Sequence, residues 1–366
     1  MKLNIERNKI LPPLQSINSV IERRHTMPIL SNVLMSITGK DIKLTGTDLE
    51  VELITSIPFQ STESKEFTLP ARKLLDICKA LPEDANLELN IEKDQVILKS
   101  GKSRFTLATL PAKDFPNTDI KEASTTLSVP QNKLKELLEE TMFAMAQQDV
   151  RYYLNGILME VSTNKLKTVA TDGHRLALKE LALDYKANEK LQIIIPRKGV
   201  LELARLLDST DEPVEIQISK NHVRLMIDSM QFTSKLIDGK FPDYERVIPK
   251  PAEKKIIANK DLLKQSLSRA SILSNEKYRG VRILLRENSI KATAHNPEQE
   301  EAEEEIEVSY DGDEMEIGFN VTYLLDAINV IKTANVIITI TNPDSSCLLV
   351  PEGETSSKYV VMPMRL

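Results

Sequence analysis

The chain has 366 residues, 41% of them hydrophobic, with 48 basic and 54 acidic side chains and a net charge of −6. That is enough for two or three domains with ordinary cores, and it argues against a protein that holds nucleic acid by global charge attraction, though not against a local basic surface. Two cysteines, Cys78 and Cys347, make neither a disulfide framework nor a metal-spaced cluster, Glu6 and Arg7 interrupt any leader-like apolar run, and no stretch approaches the length of a membrane span; the expectation is a cytoplasmic protein with no membrane partner.

Taken in order, the chain repeats itself. Thr45-Gly46-Thr47-Asp48 sits between two alternating segments; Val169-Ala170-Thr171-Asp172 does the same 124 residues on, and Thr293-Ala294-His295-Asn296 recurs 124 residues later again. A second phrase, Leu69–Ile77, is echoed by Ile195–Leu203 and more weakly by Phe319–Ala327, and Phe115-Pro116-Asn117 is answered by Phe241-Pro242-Asp243. These matches predict three units, 1–121, 122–247 and 248–366.

Each unit reads the same way. Opening helices are predicted over Glu6–Val20, Gln131–Ala146 and Lys260–Ser274, with Pro12 and Pro13 expected to limit or shift the first. Alternating pairs follow, such as Leu34–Ile37 with Asp41–Leu44 and Gly156–Val161 with Leu166–Ala170. Second helices come at Arg72–Leu81, Lys198–Leu207 and Val321–Lys332, the first two directly after Pro70 and Pro196, where a missing N–H costs little. Further strands, Gln95–Ser100 with Arg104–Leu110 and His222–Ile227 with Gln231–Ile237, close the units. The class is α+β with antiparallel sheets and two helices per unit.

Charges divide between these elements. Lys73, Lys79, Lys133, Lys135, Lys198, Arg205, Lys264 and Arg269 fall on corresponding helices; any single pair reads first as a solvated face, and it is the repetition over three units that predicts a shared basic surface. The acids gather at Glu298, Glu300, Glu301, Glu303, Glu304, Glu305 and Glu307; such blocks are usually disordered or solvated, but this one precedes the alternating Ile306–Val308 and reads also as a strand edge seeking a basic partner, for which Lys99, Lys102 and Arg104 are candidates.

Catalytic patterns fail. Gly101-Lys102-Ser103 resembles the end of a phosphate loop, but Val96 stands where that motif needs glycine, so a hairpin turn is expected. His25, His174, His222 and His295 are dispersed, and Asp48 and Asp172, matched within a repeat, suit turns better than acid–base work.

Several phrases carry a clear family resemblance: Gln147–Gly156 (QQDVRYYLNG), Thr168–Leu178 (TVATDGHRLAL), Pro196–Val200, Asp238–Val247, Leu273–Arg282, Asn296–Glu304 and the terminal YVVMPMRL. Together, over the whole chain, they resemble the bacterial sliding clamps, the β subunits of DNA polymerase III. The resemblance implies the DNA-clamp fold: three repeated domains per chain, two chains closing head to tail into a six-domain ring, helices lining the hole and sheets outside. It implies a processivity factor that encircles duplex DNA without reading its sequence and tethers partners, a non-catalytic subunit of a DNA-directed DNA polymerase (nucleotidyltransferase) holoenzyme, with no cofactor. The implied partners are the replicative polymerase catalytic subunit, the clamp loader, translesion polymerases, ligase and mismatch-repair proteins, recruited through short peptide motifs.

Carried over residue by residue, the resemblance implies DNA contacts at Arg24, with Arg23 beside it, and at Arg72, Gln147, Gln148, Tyr152 and Tyr153. Without it, Tyr152-Tyr153 reads equally as one core ring and one surface ring. It implies a partner-peptide pocket of Leu154, Thr171, Gly173, His174, Arg175, Leu176, Pro242, Arg246, Val247, Ser346, Val360, Met362, Pro363 and Met364, apolar with a few polar anchors and suited to a peptide bearing leucine or phenylalanine. It implies a subunit interface pairing Phe105 and Leu107 with Ile272 and Leu273, with Lys99, Lys102 and Arg104 facing Glu298, Glu300, Glu301 and Glu304. Because the first unit continues Thr47-Asp48 with Leu49-Glu50 and the third departs from the Thr-Asp-Gly-His-Arg phrase, one pocket per chain is expected. Two rival readings are a metal-dependent nuclease using Asp48, Asp172 and Asp243, and a scaffold that binds proteins alone.

Overall fold

A computed structural model describes residues 1–22, 27–118, 123–187, 189–250 and 255–365. The first repeat runs β1 (Lys2–Glu6), α1 (Arg7–Val20), β2 (Asn32–Ile37), β3 (Asp41–Thr47), β4 (Val51–Pro58), β5 (Lys65–Pro70), α2 (Ala71–Ala80), β6 (Asn86–Ile91), β7 (Gln95–Ser100) and β8 (Ser103–Ala108). The second runs β9 (Thr125–Pro130), α3 (Gln131–Glu139), β10 (Gly156–Ser162), β11 (Lys165–Thr171), β12 (Arg175–Ala182), β13 (Leu191–Pro196), α4 (Arg197–Leu206), β14 (Pro213–Ile218), β15 (His222–Ile227) and β16 (Met230–Lys235). The third repeats the order: β17 (Ile256–Asn259), α5 (Lys260–Ser271), β18 (Gly280–Arg286), β19 (Ser289–His295), β20 (Glu301–Glu307), β21 (Met315–Asn320), α6 (Val321–Val330), β22 (Asn335–Thr339), β23 (Cys347–Pro351) and β24 (Ser357–Val361).

The chain divides into two compact units, residues 1–132 with 201–236, and 133–200 with 237–366. The first holds a four-stranded sheet, β1-β6-β7-β8, and an eight-stranded sheet, β5-β2-β3-β4-β16-β15-β14-β9. The second holds an eight-stranded sheet, β13-β10-β11-β12-β24-β23-β22-β17, and a four-stranded sheet, β20-β19-β18-β21. All pairings are antiparallel. Each eight-stranded sheet is therefore two four-stranded halves from successive repeats, fused at β4–β16 in one case and β12–β24 in the other.

The helices follow their apolar periods. Ile10, Leu14, Ile17 and Val20 of α1 are buried, as are Leu74, Leu75 and Cys78 of α2 and Leu263, Leu267 and Ala270 of α5. Asn259 and Asn320 cap α5 and α6, each side chain accepting two backbone N–H bonds. Three sequence expectations need correction. Pro12 and Pro13 lie inside α1 rather than limiting it; the carbonyls of Asn8 and Lys9, which lose the N–H donor four residues on, belong to exposed residues, where the loss costs least. The helix predicted to reach Ala146 stops at Glu139, where the Thr141 hydroxyl donates to the Leu137 carbonyl (2.7 Å) and ties the chain to Thr168 (3.2 Å). The helix predicted to reach Ser274 ends at Ser271, and the hydroxyls of Ser271 and Ser274 bond carbonyls three residues back.

Gly101-Lys102 is the tight turn between β7 and β8, with Gly101 at φ +54°. Of the basic helix residues, Lys73, Lys79 and Lys264 are exposed. Others are paired with acids: Lys133 with Glu136 (3.3 Å), Arg205 with Glu202 (2.7 Å) and Arg269 with Glu304 (2.6 Å). No helix among the described residues is long and apolar enough to cross a membrane.

Candidate functional site

The site grows from one turn. Between β11 and β12 the Thr171 hydroxyl donates to the Arg175 carbonyl (2.6 Å) and accepts from the Gly173 N–H (3.1 Å), while Asp172 Oδ1 accepts from the N–H groups of His174 and Arg175 (2.9 and 3.0 Å). Gly173 is at φ +90°, a conformation that favours glycine, and a Cβ there would lie 2.9 Å from the flexible Arg151 guanidinium, which would have to shift. The first repeat builds the same turn: Thr47 bonds the Val51 carbonyl, and Asp48 accepts from Glu50 and Val51. Asp48 and Asp172 are thus turn acceptors, as the repeat implied. There the likeness stops, because Leu49 takes the left-handed position (φ +78°) and Glu52 stands at the register of Leu176. Burial pushes the Glu52 carboxyl up, against a hydrogen bond from Thr118 and the charge of Arg224. In the third repeat Asn296 closes a longer turn onto Glu300.

In the second compact unit this turn forms one wall of a cavity of about 180 Å3, lined by Arg151, Leu154, Thr171, Gly173, His174, Arg175, Leu176, Pro242, Asp243, Tyr244, Val247, Val360 and Met362. Ten of the fourteen residues assigned to the pocket from sequence line it. Arg246 does not; its side chain is exposed and salt-bridged to Asp243 (2.6 Å). Ser346 and Pro363 are also absent from the lining. Met364 lines a different cleft, with Tyr278, His295, Asn296 and Pro297, and its N–H bonds the Gly318 carbonyl. Three lining residues, Arg151, Asp243 and Tyr244, went unassigned although each lies inside a motif phrase; no pattern in the phrase marked them.

The walls are apolar and well supported. Leu154, Leu176, Val360 and Tyr244 belong to one buried cluster with Leu158, Val169, Ile194 and Phe241. The Tyr244 hydroxyl bonds Glu160 (3.2 Å), which Lys190 also holds at 2.9 Å. At the rim, His174 stacks beside Tyr323 (centroids 6.3 Å apart), its carbonyl accepting from the Met362 N–H at 2.9 Å. Arg175 is no open anchor. Its guanidinium bonds Asp172 (3.0 Å), Asp326 and the Phe143 carbonyl (2.8 Å), between the rings of Phe143 and Tyr323.

The polar loop abuts this pocket. Gln147, Gln148 and Asp149 line a cleft that shares His174 and Arg175 with it. Gln147 is exposed, as is Gln148 at φ +55°. Tyr152 is 57% exposed, whereas Tyr153 packs against the buried cluster and meets Tyr152 edge-on. Arg151 fastens loop to turn: it bonds both Asp149 carboxylate oxygens (3.0 and 2.8 Å) and the Asp172 carbonyl (3.1 Å). Those bonds hold the Asp149 carboxyl down at about 2. Arg72 lies elsewhere, exposed on α2 and bonded to Asp76 (3.2 Å). Arg23 and Arg24 lie outside the described residues.

The residues expected at a subunit interface lie on or beside two sheet-end strands and at the end of α5. Lys99, Lys102 and Arg104 are exposed on and beside edge strand β8, where Phe105 is half-buried and Leu107 only 6% exposed, so Leu107 is already part of its own core. Glu301 and Glu304 are on edge strand β20, Glu298 and Glu300 in the turn before it. Ile272 is 74% exposed at the end of α5, with Leu273 half-buried.

These features first define a class: an α+β repeat protein with an apolar pocket, an exposed polar loop beside it and, among the described residues, a basic and an acidic strand at sheet ends. Among the described residues no three His, Cys, Asp or Glu side chains gather as metal ligands. Comparison with known proteins gives the family. Residues 1–119, 128–243 and 245–365 match the N-terminal, central and C-terminal domain families of the DNA polymerase III beta subunit. The chain is 51% identical to the beta sliding clamp of Pseudomonas putida and 49% identical to that of Escherichia coli K12, each over the full length of both. It superposes with a TM-score of 0.97, at 50% identity and complete coverage of both chains, on a crystal structure of the Pseudomonas aeruginosa sliding clamp bound to griselimycin. The chain belongs to the DNA polymerase III beta subunit family, the bacterial sliding clamps, and is a non-catalytic processivity factor of DNA replication.

Proposed function

We propose that two copies of the chain, each divided into repeats 1–121, 122–247 and 248–366, close head to tail into a ring around duplex DNA. The observation that carries this reading is the sheet topology. Within the chain, the last strand of one repeat's first sheet pairs with the last strand of the next repeat's second sheet, β4 with β16 and β12 with β24. The same rule leaves the outer edges of β20 and β8, already paired on their inner sides with β19 and β7, as sheet ends among the described residues. One edge is acidic and the other basic, and a joint between unlike ends makes a closed ring when the rotation per subunit allows.

DNA inside such a ring is held by topology and by weak contacts from Arg24, Arg72, Gln147, Gln148, Tyr152 and Tyr153, which meet phosphate and sugar and leave sequence unread. The pocket takes a leucine or phenylalanine of a short peptide, and tethering there raises a polymerase's effective concentration at the primer end. The same pocket serves the replicative polymerase catalytic subunit, the clamp loader, translesion polymerases, ligase and mismatch-repair proteins in turn, and the chain works within a nucleotidyltransferase holoenzyme.

The test is retention. The protein is loaded onto a nicked circle with a clamp-loader preparation, gel-filtered at moderate salt, and half the sample is linearised. Retention on circles with loss from linear DNA is expected; equal retention on both would make direct binding dominant and refute the ring.

A further inference from the structure

The internal joint β12–β24 is a template for the joint between chains. Across it Ala177 faces Tyr359, Leu178 faces Lys358 and Lys179 faces Ser357. On the side toward α3, Lys179 bonds Glu140 (3.0 Å), the Ser357 hydroxyl donates to Glu140 (2.9 Å) and accepts from Lys179 (3.0 Å), and the Tyr359 hydroxyl bonds Glu140 (3.2 Å). Lys179 and Glu140, met by a serine and an aromatic residue of the joining strand, thus lie at the seam within a wider cluster in which Lys179 also reaches Glu136 (3.1 Å) and Lys332 reaches Glu140 (3.0 Å).

The bare edge β20 carries the same pair with its charges exchanged. Lys179 faces Thr168, three residues before Thr171; Glu304 faces Ala292, three residues before His295, the match of Thr171 in the repeat. Glu140 lies nine residues beyond the first residue of α3, and Arg269 nine beyond the first of α5. Arg269 holds both oxygens of Glu304, at 2.8 and 2.6 Å. The other bare edge begins Ser103-Arg104-Phe105, the counterpart of Ser357-Lys358-Tyr359 in β24.

We propose that Arg269 and Glu304 form the polar centre of the joint between two copies of this chain, with Ser103 and Phe105 of the second copy set against them. This rests on the two-chain ring proposed above. Ser103 meets the ion pair as Ser357 does. Phe105 takes the place of Tyr359; it has no hydroxyl because the group it meets is a guanidinium, whose planar face accepts an aromatic ring, rather than a carboxylate that needs a donor. The pairing also turns Arg104 to the opposite face, toward Glu303, as Lys358 is turned toward Leu178. Arg269 is then a positioning residue of the interface and not part of a DNA-facing basic surface.

The experiment exchanges the charges and reads the dimer dissociation constant by analytical ultracentrifugation of the full chain. Glu304→Lys, which sets two cations side by side at the seam, is expected to weaken the dimer at least about tenfold. Arg269→Glu combined with Glu304→Lys recreates the polarity of the internal joint and is expected to return the constant to within about threefold of the parent. Thermal unfolding and peptide binding at the distant pocket check that each variant folds. Should Glu304→Lys fail to fold, Ser103→Glu on the opposite, exposed edge replaces it: that variant is expected to weaken the dimer, and Glu304→Gln to relieve the defect. A dimer indifferent to these substitutions, or a folded charge-exchanged variant without rescue, overturns the proposal while leaving the ring intact. A parent protein that is monomeric at every concentration overturns the ring and this joint together.

Discussion

Arg175 and Asp326 stand 151 positions apart in the chain, on the middle and third repeats, and their side chains are directly bonded. The Arg175 guanidinium also holds Asp172 and the Phe143 carbonyl and is mostly buried between two aromatic rings. A side chain so committed braces the pocket turn against α6. Arg175→Ala should lower unfolding free energy by about 2 kcal/mol, because it strands two carboxylates and a carbonyl. Chemical denaturation would measure it, and Arg175→Lys should recover only a fraction, since an ammonium cannot fill the planar slot between the rings.

The pocket separates the two terminal methionines. Met362 lines the cavity and is 41% exposed, while Met364 lines another cleft. Met362→Asp is therefore expected to reduce binding of a fluorescent leucine- or phenylalanine-bearing peptide more than about tenfold, since a charge beside an apolar side chain must be desolvated, with little change in thermal stability. Met364→Asp should weaken the same peptide much less. Equal losses in fluorescence anisotropy would mean the peptide reaches both clefts.

The tyrosine pair gives a contrast within one loop. Tyr152→Ala removes an exposed ring and should weaken contact with duplex DNA at low salt while leaving stability within about 0.5 kcal/mol. Tyr153→Ala opens a gap beside the buried cluster and should cost about 2 to 3 kcal/mol. Arg72→Ala should lower the slope of log affinity against log salt by about one. DNA binding titrated at several salt concentrations, beside thermal melts, distinguishes the three.

The seam inside the second compact unit should be acid-sensitive. Burial alone would raise the Glu136 carboxyl, but hydrogen bonds and charge from Lys179, the charge of Lys332 and a bond from Lys133 bring it down to about 2. A carboxyl lower in the folded than the unfolded chain stabilises the fold above its unfolded value, and that contribution fades as pH falls toward its folded value. Stability is therefore expected to decline between about pH 5 and pH 2, and Glu136→Gln to flatten that part of the profile in denaturation at stepped pH.

The sequence made the threefold grammar legible because amphipathic helices and alternating strands bury faces at fixed periods, and the phrase around Thr171-Asp172 recurs with its hydrogen bonds intact at Thr47-Asp48. Helix ends were less legible: α1 runs through two prolines because four apolar residues demand burial, and α3 stops early because a threonine hydroxyl competes for its last carbonyls. Most of the pocket could be read by family likeness, yet Tyr244 and Arg151 reach it through bonds to Glu160 and Asp149 that no local pattern encodes. The commitment of Arg269 to Glu304, 35 residues away, was invisible for the same reason.

In the ring proposed above, the edges β8 and β20 make each chain a link with two unlike hooks. An assembly of two such links has two clasps, and one can be released while the other still holds the halves together. Entry of DNA then needs one clasp undone, and the strength of a single seam, rather than of the whole assembly, sets how long the ring stays shut.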